Sequence, residues 1–313
     1  MAGGTERILR GRIKSVQATK KITRAMELIA ASRIVKAQQR VIAAVPYSEQ
    51  ITAVVKDLAA AGGDIQSPLL SGRPDVRVKC YVAIVADRGL CGGYNANVLR
   101  ATEGQVKADA LAGRDYAIVT VGKKAEAYFR FRGYKMVASF GGFSENPTYE
   151  NARTIGQQVV DMFLDGSVDA VELVYTRFIS SGLQEVVRRP LVPLEHEVVE
   201  GGDAKADGAK ADYEIEPNPS VVLEALLPRY VEARIYAALL NGAASEQAAR
   251  QRAMKSATDN AEELVKNLTR VMNRARQDSI TTEIMEIVGG AEAMSSGKHT
   301  DAVVVRILEP LDA

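Results

Sequence analysis

Tryptophan is absent, cysteine and histidine number two each, and aromatic residues make up 5% of the 313-residue chain. Each scarcity excludes something. Cys80 and Cys91 cannot build a disulfide framework or a cysteine zinc site, and they suit a reducing compartment. His196 and His299 stand alone, so no nucleophile has an evident imidazole base beside it. No apolar run is long enough to cross a membrane. The start, MAGGTERILRGRIKS, lacks the apolar core of a secretory signal. It is basic enough for a transit peptide, but its helical pattern begins at once and argues against one. Few aromatics with abundant Ala, Leu, Ile, Val and charge favour long helices over a thick sandwich core.

Acid is scarce at the N-terminus. The net charge is +1, yet residues 1–40 carry Arg7, Arg10, Arg12, Lys14, Lys20, Lys21, Arg24, Arg33, Lys36 and Arg40 against Glu6 and Glu27 alone. Three readings are open: a solvated helix face, a nucleic-acid surface, or a positive rod inside an acidic protein sleeve. The first 46 residues contain no Phe, Tyr or Trp to stack on bases, which weakens the second reading.

The chain changes grammar three times. Residues 5–61 repeat apolar positions at helical spacing: Leu9, Ile13, Val16, Ile22, Met26, Ile29, Ile34, Ala37, Val41, Ala44, Ile51, Val54 and Leu58 are the expected inward set. Thr5 and Glu6 mark the start, Pro46 is expected to bend the helix, and Gly62-Gly63 to end it. Such a helix runs roughly 85 Å, too long for one small domain to cover. The middle, 75–200, reads as a small parallel α/β layer. Strands are expected at 76–86, 116–122, 170–178 and, more weakly, 133–140, with helices near 93–112, 123–132 and 148–165. Residues 198–219 are rich in Gly, Ala, Asp and Lys and read as a mobile loop. Helical spacing returns over 220–294, through Val222, Leu226, Val231, Ile235, Leu239, Met254, Ala257, Ala261, Leu264, Leu268, Val271, Ala275, Ile284 and Ile287. A second long helix needs a mate. The first helix supplies it, and the intervening domain returns the chain, so the pair is expected to be antiparallel. The end, 295–313, is atypical, and AVVVRIL within it suits a strand or an apolar tail.

ADRGLCGGYNAN (86–97) invites a chemical reading that its details refuse. A phosphate loop needs Lys and Ser or Thr after its glycines, and a dinucleotide fingerprint needs G-x-G-x-x-G; neither is present. A strand–turn–helix junction with an exposed contact surface accounts for the stretch better. No catalytic residue, cofactor site or metal site is predicted. The long, polar, alanine-rich stretch SEQAARQRAMKSATDNAEELVKNLTRVMNRARQDSITTEI (245–284) fits a narrow coiled-coil seam, but its many outward polar groups at 250–281 call for a partner.

Four segments, KSVQATKKITRAMELIAASR (14–33), DRGLCGGYNAN (87–97), GFSENPTYENA (142–152) and ASEQAARQ through RARQDSITTEIMEIVGGA (244–291), together resemble the gamma subunits of the rotary ATP synthases. The resemblance covers nearly all of 5–294. It implies an α/β fold class with a long antiparallel coiled coil of the N-terminal (1–62) and C-terminal (220–294) helices plus a small Rossmann-like domain. It implies a non-catalytic rotor shaft, one copy per complex, that couples proton-driven rotation of a membrane c ring to conformational cycling of the catalytic beta subunits. Alpha, beta, epsilon and c-ring subunits are the implied partners, with membrane contact only through the complex, at the cytoplasmic face of the bacterial plasma membrane. Met26, Arg88, Cys91, Arg250, Arg276, Gln277 and Thr281 match positions that face beta, and Tyr213 and Glu216 match the foot on the c ring. Ile215 stands where an aromatic is frequent, and the 295–313 tail exceeds the usual family end. A nucleotide-dependent enzyme and a static coiled-coil scaffold are the alternatives.

Overall fold

The computed structural model describes residues 2–61, 67–194 and 218–305. The expected 198–219 loop, Tyr213, Glu216 and His196 lie outside the described residues, apart from the loop's last two positions. The elements in order are helix α1 (Ala2–Ala61), the short α2 (Pro68–Ser71), strand β1 (Val78–Ile84), α3 (Tyr94–Leu111), β2 (Asp115–Val121), α4 (Lys123–Phe131), β3 (Met136–Phe140), α5 (Tyr149–Leu164), β4 (Ala170–Phe178), β5 (Gln184–Val192) and α6 (Pro219–Val305). The chain divides into two compact units: Met26–Met254, and Met1–Ala25 with Lys255–Ala313.

The larger unit holds a five-stranded sheet in the order β3-β2-β1-β4-β5. The β1–β2, β1–β4 and β2–β3 pairs are parallel, and β5 runs antiparallel to β4 at one edge. Alternate residues of β1 serve different layers. Cys80, Val82 and Ile84 join the core built with α1, α5 and α6, while Tyr81, Ala83 and Val85 join the core built with α3 and α4. A strand buried on both faces reads as an unbroken apolar run, which is why VRVKCYVAIVA is legible. The missed strand is β5. Its sequence, QEVVRRPLV, mixes charge with apolar residues because an edge strand is half solvated, and Pro190 marks it as an edge.

Thr148 starts α5 with a capping box, its hydroxyl accepting from the Asn151 backbone N–H while the Asn151 side chain accepts from the Thr148 N–H. Gly122, at φ 101°, lets the β2–α4 turn lie against the end of β1; a Cβ there would stand 2.3 Å from the Val85 carbonyl oxygen.

Helix α1 follows a heptad in its burial, and α6 does so beyond Met254, whereas from Tyr230 to Arg250 it is covered on all sides. Along α1 the covered positions step by three and four residues through Glu6, Leu9, Ile13, Val16, Lys20 and Thr23 in the terminal unit, and through Glu27, Ala30, Ile34, Ala37, Val41, Ala44, Ser48, Ile51, Val55 and Leu58 in the larger unit. This corrects the expected inward set. Ile22, Ile29 and Val54 are exposed by 61%, 53% and 42%, while polar Thr23 and Glu27 are buried. In α6 the seam of the terminal unit passes through Thr258, Ala261, Val265, Leu268, Met272, Ala275 and Ser279, leaving Leu264 and Val271 outside. Thr23 hydrogen-bonds Thr258 at 2.8 Å and Lys20 pairs with Glu262 at 3.1 Å, so numbering falls in one helix as it rises in the other. The pair is antiparallel. Among the residues whose burial is described, Ser279 is the last half-covered one, where this register uses up α1, and Ile284 and Ile287 beyond it are bare rather than inward.

Pro46 does not break α1, and Pro228 does not break α6. The carbonyls that lose a donor belong to Ile42 and Glu224, both exposed residues. Helix α6 runs past 294 to Val305, so the strand expected within AVVVRIL is not formed over its described residues.

Candidate interaction surface

The turn after β1 is built to hold a shape. The Asp87 carboxylate accepts from the backbone N–H groups of Lys123 at 3.0 Å, Gly142 at 2.9 Å and Ser144 at 3.0 Å, while the Asp87 N–H donates to the Ser144 hydroxyl. One side chain thus ties together the loops that follow β1, β2 and β3. Burial pushes this carboxyl upward, but the N–H groups of Gly142, Ser144 and Lys123 outweigh it and hold it below the usual carboxylate range. It is an anchor, already saturated with donors. Asn95 closes the turn from the other side, accepting from the Ala86 N–H and donating to the Arg88 carbonyl.

Leu90 sits at the tip with φ 61°, the one non-glycine residue with a left-handed backbone among those described, and its side chain is 64% exposed. A leucine held in that conformation with its side chain in water is a strained, outward feature. Arg88 is exposed beside it and pairs with Glu145 at 3.7 Å; Glu145 also pairs with Arg33 of α1.

Cys91 turns the other way. It is buried with Ala86 and Tyr94 against Ala249 of α6, and burial raises its thiol above the ordinary value, so it is neither a nucleophile nor an exposed contact. Arg250 is also buried. Its guanidinium meets Glu246 at 2.7 Å, with side-chain exposures of 8% and 1%, and reaches the Gly89 carbonyl. Burial raises the Glu246 carboxyl, the Arg250 charge opposing. Cys91 and Arg250 therefore shape the expected surface from behind, while Arg88 and Leu90 present it. Leu90, Glu145 and Asp87 are not individually legible in the sequence; only the glycine-rich spacing of the turn and the NPT helix start signal where they sit.

In a doubly wound sheet the crevice at the carboxyl ends of the central strands is where a nucleotide would bind. Here α6 runs through it. Ser245 donates to the Thr176 carbonyl, Asn241 accepts from the Phe178 N–H, and Gly242 packs so close to Tyr94 that a Cβ would meet its hydroxyl at 3.2 Å. What remains is a cleft of about 380 Å3 beside Gly92, Gly93 and Thr176. Its one cation, Arg252, already donates to the Ser181 and Gly182 carbonyls and to Gln184.

The remaining expected contacts are on the long helices. Met26 is half-buried on α1. Arg276, Gln277 and Thr281 are exposed on α6, and the Thr281 hydroxyl donates to the Gln277 carbonyl one turn back. Around them Ile280, Ile284, Met285, Ile287 and Val288 are exposed, as are Ile8, Ile22, Leu28, Ile29 and Val35 on α1. So much apolar surface on long helices marks protein contact. Among the described residues no helix is long and apolar enough to cross a membrane, and no cluster suits a metal ion.

A sheet whose nucleotide crevice is filled by its own helix, with two long helices that keep an apolar outer face, defines a partner-binding shaft protein. A family model described as ATP synthase matches residues 5–294. The ATP synthase gamma chain of Frankia casuarinae is 50% identical over 298 residues, covering 94% of this chain and 99% of that protein. That of Acidothermus cellulolyticus is 51% identical, covering 93% and 98%. Among solved structures, a chain of the Euglena gracilis mitochondrial ATP synthase OSCP/F1/c-ring shares the fold at TM-score 0.65 and 19% identity, over 95% of this chain and 96% of that one. A chain of the Tetrahymena thermophila mitochondrial ATP synthase central stalk/c-ring does so at TM-score 0.57 and 23% identity, over 75% and 99%. The chain belongs to the ATP synthase gamma-chain family.

Proposed function

We propose that this chain is the central rotor shaft of a proton-translocating ATP synthase, non-catalytic itself. The apolar outer face of its long helices carries the reading, since it gives neighbours something to grip without any chemistry of the chain's own. A shaft must be stiff in torsion and must not bind one neighbour too tightly. The heptad seam supplies the first. Exposed charges such as Arg88 and Arg276, worth about 0–1 kcal/mol per pair, supply graded contacts that bias an angle without locking it. A catalytic neighbour changes state only through contacts that differ between its conformers, and Arg276, Gln277 and Thr281 offer directional, charge-assisted bonds of that kind.

In this reading the beta subunits meet Met26, the Arg88–Leu90 turn and the exposed end of α6. Tyr213 and Glu216 meet the c ring, and epsilon completes the foot. The complex stands at the cytoplasmic face of the bacterial plasma membrane, and this chain touches the membrane only through it. Affinity purification of the tagged chain tests the reading. Alpha, beta and epsilon subunits are expected with one copy of this chain per three beta subunits; isolation alone, or in equal copy number with beta, contradicts it.

A further inference from the structure

Strands β4 and β5 and helices α1 and α6 border an open pocket of about 250 Å3 in the larger unit. Three arginines line it, Arg177, Arg189 and Arg234, joined by Asn241 and by apolar residues that include Val41 and Leu173. No carboxylate lines it among the described residues. The convergence follows from register. Leu173 pairs with Arg189 and Arg177 with Glu185, and residues two apart share a sheet face, so Arg189 and Arg177 project on one side. Arg188 projects on the other, where it pairs with Glu172 at 3.7 Å. Glu185, across from Arg177, does not reach the pocket.

Like charges brought together in a half-buried place repel. Burial and the neighbouring Arg189 charge both hold the Arg234 guanidinium below its ordinary value, Tyr175 opposing. Arg189 and Arg234 also keep contacts within the chain. Among the described residues Arg177 makes no ion pair, and it stands exposed at the mouth. Guanidinium forks are the natural partners of tetrahedral oxyanions. The volume lies below the roughly 300–1,000 Å3 of pockets that take drug-sized ligands. It has room for a phosphate or pyrophosphate.

We propose that this pocket binds a small phosphate-class oxyanion, held between Arg177, Arg189 and Arg234 with Asn241 as a neutral donor. The bound anion neutralises the arginine cluster where α1, α6 and the β4–β5 edge meet, and so stiffens that junction. The site is independent of whether the chain turns in a complex.

Calorimetric titration of the purified full chain with inorganic phosphate and, separately, pyrophosphate tests this, at ionic strength held constant with chloride. One saturable site is expected, with a rise in Tm that chloride alone does not give. Arg177→Gln is expected to weaken binding about tenfold, the loss of one charge-assisted bond. Its exposed position protects the fold, and Arg234→Gln provides the buried counterpart. Arg188→Gln, on the opposite sheet face, is expected to bind as the parent does. Absence of saturation with both anions overturns the proposal, as does equal binding by Arg177→Gln and the parent chain, or equal weakening in Arg188→Gln.

Discussion

Asp87 and Arg250 show how a residue that looks chemical in the sequence becomes structural once its partners are counted. Asp87 accepts three backbone N–H groups from two other loops. Asp87→Asn loses the charge on those bonds and is expected to cost about 1–3 kcal/mol at neutral pH in a denaturant titration. The sign with pH follows from its depressed value. The increment is in full above about pH 4, the ordinary carboxylate value, and is lost as pH falls through the lower folded value. The gap between parent and variant is therefore expected to close in acid; a gap that widens would contradict the assignment. Arg250 is the partner of an almost wholly buried Glu246. Arg250→Ala strands that carboxyl and is expected to cost about 3–5 kcal/mol, whereas replacing both by apolar residues of similar size is expected to recover most of it. Equal loss in the single and double variants would show that the pair is not the unit.

At the scale of elements, the seam of the two-helix coil is specified by polar and small residues more than by large apolar ones. The Thr23–Thr258 hydrogen bond is its clearest joint. Either threonine changed alone to valine loses this bond and is expected to cost about 0.5–1.5 kcal/mol, and both changed together to cost less than the sum of the two. A double-mutant cycle by thermal unfolding reads that coupling directly. Ile22→Ser, on the exposed side, is expected to move stability by no more than about 0.5 kcal/mol while weakening assembly with neighbouring subunits. The same contrast explains what the sequence could and could not tell. Strands buried on both faces announce themselves as apolar runs, so β1, β2 and β4 are readable. Strand β5 is not, because Arg188, Arg189 and Pro190 interrupt it at a sheet edge. Helix length and antiparallel order are readable from spacing and connectivity. The inward face is not, because the outer face of α1 is itself apolar, and hydrophobicity alone cannot rank Ile22 against Thr23. The glycine-rich turn is legible as a strand–turn–helix junction, but the inward aim of Cys91 depends on Ala249, more than 150 residues away.

In the proposed rotor the whole molecule turns against its neighbours, and this turning is coupled to their chemistry. Native cysteines do not interfere with a test, since Cys80 and Cys91 are both buried. Leu90 stands exposed at the tip of the turn, so Leu90→Cys offers a handle there. The most direct measurement is ATP hydrolysis by the assembled complex carrying Leu90→Cys and a cysteine on the facing beta surface, before oxidation, after disulfide formation and after reduction. Hydrolysis is expected to stop when the disulfide forms and to return on reduction. Hydrolysis at full rate with the crosslink intact would contradict that coupling.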